Sequence, residues 1–216
     1  MALFALDKEL IFPPPHLAEP DGLLAIGGDL STERLLLAYR QGIFPWYEGA
    51  DILWWAPDPR FVLFPRELKI SKSLKPLLNR KAFDFTTNTA FREVIRNCKE
   101  IVRPGQEGTW ITGEVEQAYI RMHELGYAHS AEVWQNGELA GGLYGIRLGH
   151  VFFGESMFSR VSQASRYAFT TYVQQLAAEG VELIDCQVYT SYLESMGAGM
   201  IPGKAFQALL KKLIPQ

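Results

Sequence analysis

The sequence predicts a mixed α/β protein with a small N-terminal domain, residues 1–64, and a larger C-terminal domain, residues 65–216. Three observations support this. Turn-forming Pro and Gly clusters interrupt the first 64 residues, whereas helix-like and strand-like segments alternate after Phe64. Within the second part, Asn136-Gly137 between two strand-like runs indicates a β-hairpin. Antiparallel strands followed by a helix and one more strand favour a mixed, largely antiparallel sheet.

The N-terminal part contains one clear helix. Ser31 is suited to cap its first turn, Leu35 and Ala38 form its apolar side, and Gly42 follows its end. An aromatic cluster comes next, since Trp46, Trp54 and Trp55 lie close together. These tryptophans suit either the core of a small domain or surfaces on which a ligand ring stacks.

The C-terminal part is predicted from caps, turns and hydrophobic periodicity. Helices are expected to begin after the caps Ser73, Asn88 and Thr112. A second hairpin is expected near Leu148-Gly149. The remaining predicted elements are a long helix over 162–180, a strand over 183–188 and short helices over 191–196 and 204–213.

Composition limits the class of protein. The chain has 216 residues and is 48% hydrophobic, enough for a substantial core. No apolar run approaches the ~20 residues of a membrane-spanning helix, and the N-terminus lacks a signal-peptide pattern. Two cysteines and four unpaired histidines indicate neither a disulfide framework nor a metal site. We therefore expect a cytoplasmic protein without a metal, and a monomer, since coiled-coil heptads are absent.

Charge is unevenly distributed along the chain. The net charge is −3, but residues 65–81 carry six basic residues and one acid, a local charge of +5 that leaves −8 for the rest. Such a segment can bind a phosphate backbone, and it can equally be a solvated surface. The basic residues are Arg66, Lys69, Lys72, Lys75, Arg80 and Lys81.

Polar residues in apolar strand-like segments are candidates for chemistry, because burying them without partners costs free energy. Asp185 and Gln187 are two apart in a predicted strand, so their side chains should share a face. Asp185 is our hypothesised proton acceptor, relayed by Gln187. Glu155 lies among aromatic residues, and we expect it to pair with a cation, either Arg160 or a substrate ammonium. A purely structural hydrogen-bonded pair remains open for each.

Several neighbouring residues suit either a binding pocket or ordinary packing. Trp46 and Trp110 are candidates to stack on a nucleobase. Leu143, Phe152, Met157 and Phe169 could form an apolar pocket beside Glu155. Cys186 has no evident histidine base, and we interpret it as a buried apolar residue.

The predicted order of elements resembles the GNAT-type acyltransferase fold. In that fold a glycine-containing loop before the helix that follows the fourth strand holds the phosphates of acetyl-CoA. The corresponding segment here, residues 160–165, contains no glycine. Since the backbone then cannot approach a pyrophosphate closely, acetyl-CoA is an improbable donor and no cofactor is expected.

Motifs spread over nearly the whole chain closely resemble the leucyl/phenylalanyl-tRNA–protein transferase family. They are Gly22–Ser31, Ala38-Tyr39 with Gly42–Trp46, Trp54–Arg60, Gly108–Thr112, His129–Trp134, Gly141–Gly145, Gly154–Phe158 and Asp185–Gln187. The resemblance implies a GNAT-like C-terminal domain. It also implies transfer of Leu or Phe, with Met a further donor, from aminoacyl-tRNA to proteins with N-terminal Lys or Arg, which marks them for degradation by the N-end rule.

The resemblance also implies residue roles. Asp185 and Gln187 would be the catalytic pair, and Glu155 would help to hold the reacting groups. The tRNA's 3′-terminal adenosine would be bordered by Tyr39, Trp46 and Trp110, and the aminoacyl side chain would be surrounded by Leu143, Phe152, Met157, Phe169 and Ile184. The basic segment 65–81 would hold the tRNA acceptor stem.

This sequence departs from the family pattern in three places. They are the turn Cys98–Gly105, Tyr192 where a histidine is usual, and Gly203-Lys204 where the family carries an arginine-bearing pair. None removes a proposed catalytic group, but they affect the expected contacts with the peptide. Two alternatives remain open: an aminoacyl-tRNA-dependent ligase that acts on a cell-wall peptide, and a non-catalytic RNA-binding module.

Overall fold

A computed structural model describes residues 3–101 and 109–215 of the chain. The α-helices are α1 Thr32–Arg40, α2 Lys75–Asn79, α3 Phe91–Glu100, α4 Gly113–Glu124, α5 Ala164–Ala178, α6 Ser191–Glu194 and α7 Gly203–Leu213. The strands are β1 Phe4–Leu6, β2 Leu23–Gly27, β3 Phe44–Pro45, β4 Leu53–Trp55, β5 Arg60–Leu63, β6 Asp84–Thr87, β7 Ala128–Gln135, β8 Glu138–Leu148, β9 Val151–Ser159, β10 Leu183–Gln187 and β11 Gly199–Ile201. Short 3₁₀ helices span Pro15–Leu17 and Pro65–Glu67.

Two sheets organise these elements. A four-stranded sheet has the order β1-β2-β4-β3, and a seven-stranded sheet has the order β11-β5-β10-β9-β8-β7-β6. In the larger sheet β9 and β10 pair in parallel and are joined through α5, whereas the other described pairs are antiparallel. The predicted mixed, largely antiparallel sheet is therefore confirmed. The chain enters this sheet at Arg60, and the expected domain boundary at residue 64 stays a prediction.

The larger sheet buries a cluster of apolar side chains on each face. On one face the cluster joins the N-terminal residues Leu24 and Tyr39 to Phe153 of β9 and Phe206 of α7. On the other face the cluster is covered by α5. The N-terminal part thus packs directly on the sheet, where it can contribute to a site at the end of β9 and β10.

The local signals of the sequence are confirmed where their partners lie within a few residues. The Ser31 hydroxyl accepts a hydrogen bond from the Arg34 amide, and the Thr112 hydroxyl accepts one from the Val115 amide. The β7–β8 hairpin turns through Asn136 at φ 54° and Gly137 at φ 81°, as its two-residue turn requires.

Two predicted caps are wrong. Ser71 rather than Ser73 accepts the hydrogen bond from the Leu74 amide before α2. Asn88 has φ 59° and its side chain accepts from the Ser130 amide on β7 instead of capping α3. The amide of Ala90, at the start of α3, donates to the buried Glu132 carboxylate. These competing partners lie on other elements and are not visible in the local sequence.

The described residues contain neither a membrane-spanning helix nor a cluster of metal ligands. No helix in the described ranges is long and apolar enough to cross a membrane. Within the same ranges no group of His, Cys, Asp and Glu side chains is arranged to hold a metal ion.

Candidate active site

A cavity opens where the two parallel strands of the larger sheet separate. Strands β9 and β10 stay paired as far as Phe153 and Asp185. Beyond this point β9 continues along β8 to Ser159, whereas β10 ends at Gln187. The space between them forms a cavity of about 400 Å³, within the range of small-molecule sites.

Each of the two strands carries a β-bulge at the mouth of this cavity. Tyr144 pairs with Ser156 and Gly145 with Gly154, so Glu155 is the extra residue of β9. In β10 the pairing with β5 skips Cys186, and Gln187 follows with φ 64°. Bulges redirect side chains next to them. Here they bring together two polar side chains, because Gln187 Nε2 donates to Glu155 Oε1 over 2.8 Å.

Two buried tyrosines complete the surroundings of Glu155. The Tyr119 hydroxyl donates to Glu155 Oε2 over 3.1 Å, and the Tyr39 hydroxyl is hydrogen bonded to that of Tyr119. Burial raises the pKa of Glu155 to about 7, and the charge of Asp185 acts in the same direction. Hydrogen bonds from Tyr39, Tyr119 and Gln187 oppose this rise in the pKa. Near neutral pH this carboxylate can therefore both accept and release a proton.

The structure does not pair Glu155 with Arg160, one of its two expected partners. Arg160 is exposed, and Glu155 is held by hydroxyl and amide donors instead. These donors are neutral, and within residues 3–101 and 109–215 no cation pairs with the ionised carboxylate. A substrate ammonium, the other expected partner, can supply that charge.

Asp185 forms a different interaction from the one expected. Its oxygens accept from Arg60 Nε over 2.8 Å and Nη2 over 2.7 Å, and both side chains are almost completely buried. The Arg60 guanidinium lies 4.8 Å from the ring centres of both Phe44 and Phe206. Asp185 Oδ1 also accepts a hydrogen bond from the backbone N–H of Gln187.

This geometry argues against Asp185 as the proton acceptor. Both oxygens of the Asp185 carboxylate already accept hydrogen bonds from the buried Arg60 guanidinium, and Oδ1 accepts a further one from the backbone N–H of Gln187. Asp185 is better suited to fixing the backbone of Gln187, whose side chain reaches the cavity. The predicted catalytic residues are therefore close together, but the one best placed to accept a proton is Glu155.

The wall of the cavity is largely apolar beyond this polar group. All five residues predicted to surround an aminoacyl side chain line it, namely Leu143, Phe152, Met157, Phe169 and Ile184. They come from β8, β9, α5 and β10, and their meeting point is the region where the strands separate. Whether an aminoacyl side chain occupies it remains a prediction.

A second, smaller cavity adjoins the first. It measures about 170 Å³ and is lined by Phe44, Pro45 and Trp46 of the N-terminal part. Trp110, Glu155, Gln187 and Val188 line both cavities. Trp46 is 39% exposed, whereas Trp110 is 7% exposed. The polar pair thus lies at the junction of an apolar cavity and an aromatic one.

Two further sequence expectations have different outcomes. Tyr39 is 1% exposed and lines neither cavity, and its expected position beside the adenosine stays a prediction. It acts on the site through Tyr119. Cys186 is buried, and burial raises the pKa of its thiol far above the usual range, which agrees with an unreactive cysteine.

The basic segment of the sequence forms an exposed surface. Arg66 lies on a 3₁₀ helix, Lys75 begins α2, and all six predicted basic residues are exposed. Two sequence segments named above extend outside the described residues: the Cys98–Gly105 turn from residue 102 onward, and Gly108 of the Gly108–Thr112 motif.

Comparison with protein families matches two adjoining parts of the chain. Residues 62–211 match the family described as leucyl/phenylalanyl-tRNA protein transferase, and residues 28–58 match the N-terminal domain of the same family. The chain belongs to this family. The family resemblance inferred from the sequence motifs is thereby confirmed, and with it the class of aminoacyltransferases.

Individual relatives of this family are similar over their full length. A leucyl/phenylalanyl-tRNA–protein transferase of Syntrophobacter fumaroxidans is 58% identical and covers 100% of this chain and 93% of its own. One from Flavobacterium johnsoniae is 56% identical and covers 97% of this chain and 99% of its own. Among solved structures, a GCN5-related N-acetyltransferase-like protein from Streptococcus suis is 13% identical, with a TM-score of 0.37, over 66% of this chain and 59% of its own.

Three residues of this transferase site were missed by sequence reasoning. Arg60 and Tyr119 contact the predicted catalytic group directly, and Phe206 supports Arg60 from α7. Arg60 could have been found from the sequence, because it is a charged residue beside the apolar run Phe61–Phe64, as Glu155 is a charged residue among aromatic ones. Nothing in the local sequence distinguishes Tyr119 from other apolar residues of α4.

Proposed function

We propose that this protein transfers Leu or Phe, and also Met, from aminoacyl-tRNA to the α-amino group of proteins that begin with Lys or Arg. The observation that carries this proposal is the position of Glu155 and Gln187 at the junction of two cavities. A bimolecular transfer needs one place for each part of the donor and a shared point where the acceptor amine reaches the ester. Such a reaction in the cytoplasm would mark proteins for degradation by the N-end rule.

The donor is divided between the two cavities. Its apolar side chain enters the larger cavity, where each additional methylene group is worth ~1–3 kcal/mol of discrimination. Its terminal adenosine lies in the smaller cavity, between Trp46 and Trp110, where stacking contributes ~1–3 kcal/mol per base. The ester that joins these parts then lies beside Glu155 and Gln187.

The acceptor enters as an ammonium that must lose a proton before it can attack. A free α-amino group has a pKa of ~7.7–8.0, within about one unit of that of Glu155, so this proton transfer costs only about 1 kcal/mol. The side-chain NH₂ group of Gln187 donates to Glu155, so the side-chain carbonyl oxygen of Gln187 can accept a hydrogen bond from the amine. Asp185 and Arg60 hold the strand end that carries Gln187.

The reaction exchanges one acyl bond for another. The neutral amine attacks the ester carbonyl, a C–N bond forms, and the C–O bond to the ribose breaks. A second amine proton goes to the departing ribose oxygen. Because the ester is already activated, alignment of the two reactants supplies much of the rate, and no nucleotide or metal is consumed.

The direct test is transfer of labelled Leu from Leu-tRNA to a peptide that begins with Arg, with an otherwise identical peptide that begins with Glu as control. We expect label on the Arg peptide only. Binding of tRNA without transfer would contradict the proposal and support an RNA-binding module. Transfer to a cell-wall peptide but not to the Arg peptide would support the alternative ligase.

A second test concerns the basic segment. Reversing the charge of Lys72 and Lys75 together should weaken binding of aminoacyl-tRNA and make it less dependent on salt, since phosphate contacts release counterions. The same variant should use a minimal aminoacyl-adenosine donor as well as the unaltered protein does. Equal losses with both donors would rule out this surface as the acceptor-stem contact.

A further inference from the structure

Arg166 lies near the start of α5, beside a residue that lines the larger cavity of the candidate active site. Its guanidinium carbon is 4.9 Å from the centre of the Tyr192 ring. The Tyr192 hydroxyl is 3.2 Å from Ser165 Oγ, and both Tyr192 and Ser165 line the larger cavity. The arginine is therefore attached to the rim of the cavity where the donor is bound.

The next residue connects the same turn of α5 to the basic segment. The Tyr167 ring packs against Phe83, with 5.2 Å between ring centres. Phe83 follows Lys81 by two residues, a separation of at most about 7 Å along the backbone. The first turn of α5 thus contacts the larger cavity through Ser165 and packs against a residue that follows the basic segment.

The charge of Arg166 is available for a ligand. Among the described residues it forms no ion pair with a carboxylate, and its recorded contacts are with the ring and the hydroxyl of Tyr192. These contacts hold the guanidinium in place, and its remaining N–H groups can donate to phosphate oxygens. Arg166 is also half-buried, so its position is more restricted than that of the exposed basic residues.

The rim between Arg166 and the reaction point is open to an extended strand. Val188 lines both cavities and is 40% exposed, and Thr190 and Tyr192 continue the wall of the larger cavity toward Arg166. A single-stranded 3′ end whose terminal adenosine occupies the smaller cavity can follow this rim to the basic segment. Its phosphodiesters would then pass Arg166.

We propose that Arg166 binds a phosphodiester of the single-stranded 3′ end of the donor tRNA and so connects the acceptor-stem surface to the active site. This inference rests on the proposed function. Arg166 is a binding residue in this role and takes no part in bond formation.

Donors of three lengths distinguish a contact with a phosphodiester from contacts with the adenosine or the aminoacyl group. They are aminoacyl-tRNA, an aminoacylated CCA trinucleotide and aminoacyl-adenosine, which lacks a phosphodiester. We expect Arg166→Ala to raise the KM for the first two about five- to tenfold and to leave the KM for aminoacyl-adenosine within about twofold. The slope of log affinity for the trinucleotide against log salt concentration should fall by about 0.7, the value for one phosphate contact of a single strand.

Two further variants distinguish charge from packing. Arg166→Lys retains the cation and should keep most of the affinity for the trinucleotide and most of the salt dependence. Lys211→Ala removes an exposed cation from α7 and should change neither the affinity for the trinucleotide nor its salt dependence. Equal effects of Arg166→Ala on the trinucleotide and on aminoacyl-adenosine, or an unchanged salt slope, would overturn the proposal. Unaltered protein that transfers from aminoacyl-adenosine would at the same time leave the proposed function intact.

Discussion

The pH dependence of transfer should report the ionisation of Glu155. Because burial raises its pKa to about 7, the carboxylate is protonated below this value and cannot accept the amine proton. At pH 5.5 only about 3% remains ionised, so the rate of a single turnover should be about thirtyfold below its plateau. Ionisation of the acceptor amine changes the rate in the same direction, so the unaltered protein alone does not identify the group.

The substitution Tyr119→Phe separates the two ionisations. It removes the hydroxyl that donates to Glu155 Oε2 and leaves the acceptor amine unchanged. A hydrogen bond to a charged group is worth about 1.5–3 kcal/mol, which corresponds to about one to two pKa units. The midpoint of the rate profile should therefore move upward by about one unit or more.

The assay is single-turnover transfer from saturating aminoacyl-adenosine to an Arg peptide between pH 5.5 and 9. Tyr167→Phe is a matched control, because Tyr167 packs against Phe83 and is not among the hydrogen-bond partners of Glu155. Its profile should coincide with that of the unaltered protein. An unmoved midpoint for Tyr119→Phe would refute the assignment of Glu155 as the proton acceptor.

Three other substitutions test the site. Glu155→Gln should abolish most transfer yet stabilise the protein at pH 8 by about 3 kcal/mol, because the fold favours the protonated acid. The gain in free energy of unfolding should vanish below about pH 4.5, where both states bind the proton, and urea titration at both pH values measures it. Arg60→Met should cost about 3–5 kcal/mol in the same titration, since it leaves the Asp185 charge buried without its partner, and a loss below 1 kcal/mol would contradict that. Trp46→Ala should raise the KM for aminoacyl-adenosine about five- to a hundredfold through lost stacking, with a melting temperature close to that of the unaltered protein because the ring is 39% exposed; an unchanged KM would exclude Trp46 from the adenosine site.

Sequence reasoning succeeded where the determining interactions are local or periodic. The caps Ser31 and Thr112 and the Asn136-Gly137 turn depend on backbone groups within a few residues. Alternation along β10 was used to predict that Asp185 and Gln187 share a face, but the bulge at Cys186 interrupts it, and the two side chains have different partners. The short strand β11 was missed, because its exposed Gly199 and Met200 give no hydrophobic alternation.

Sequence reasoning failed where a partner is distant in the chain. Asp185 meets Arg60 across 125 residues and Tyr39 meets Tyr119 across 80, separations at which spacing carries no information. Both contacts involve the same group of residues: the role predicted for Asp185 did not include its ion pair, and the position predicted for Tyr39 did not include its burial. A buried charge indicates that a partner exists but not which residue it is.

The paired bulges make the strand ends of β9 and β10 intolerant of changes in length. Loss of one codon at Glu155 or Cys186 would remove the extra residue and restore an uninterrupted ladder, which deletes the Glu155 carboxylate in β9 or the bulge that redirects Gln187 in β10. A library of single-codon deletions should consequently yield folded but inactive proteins at these two positions.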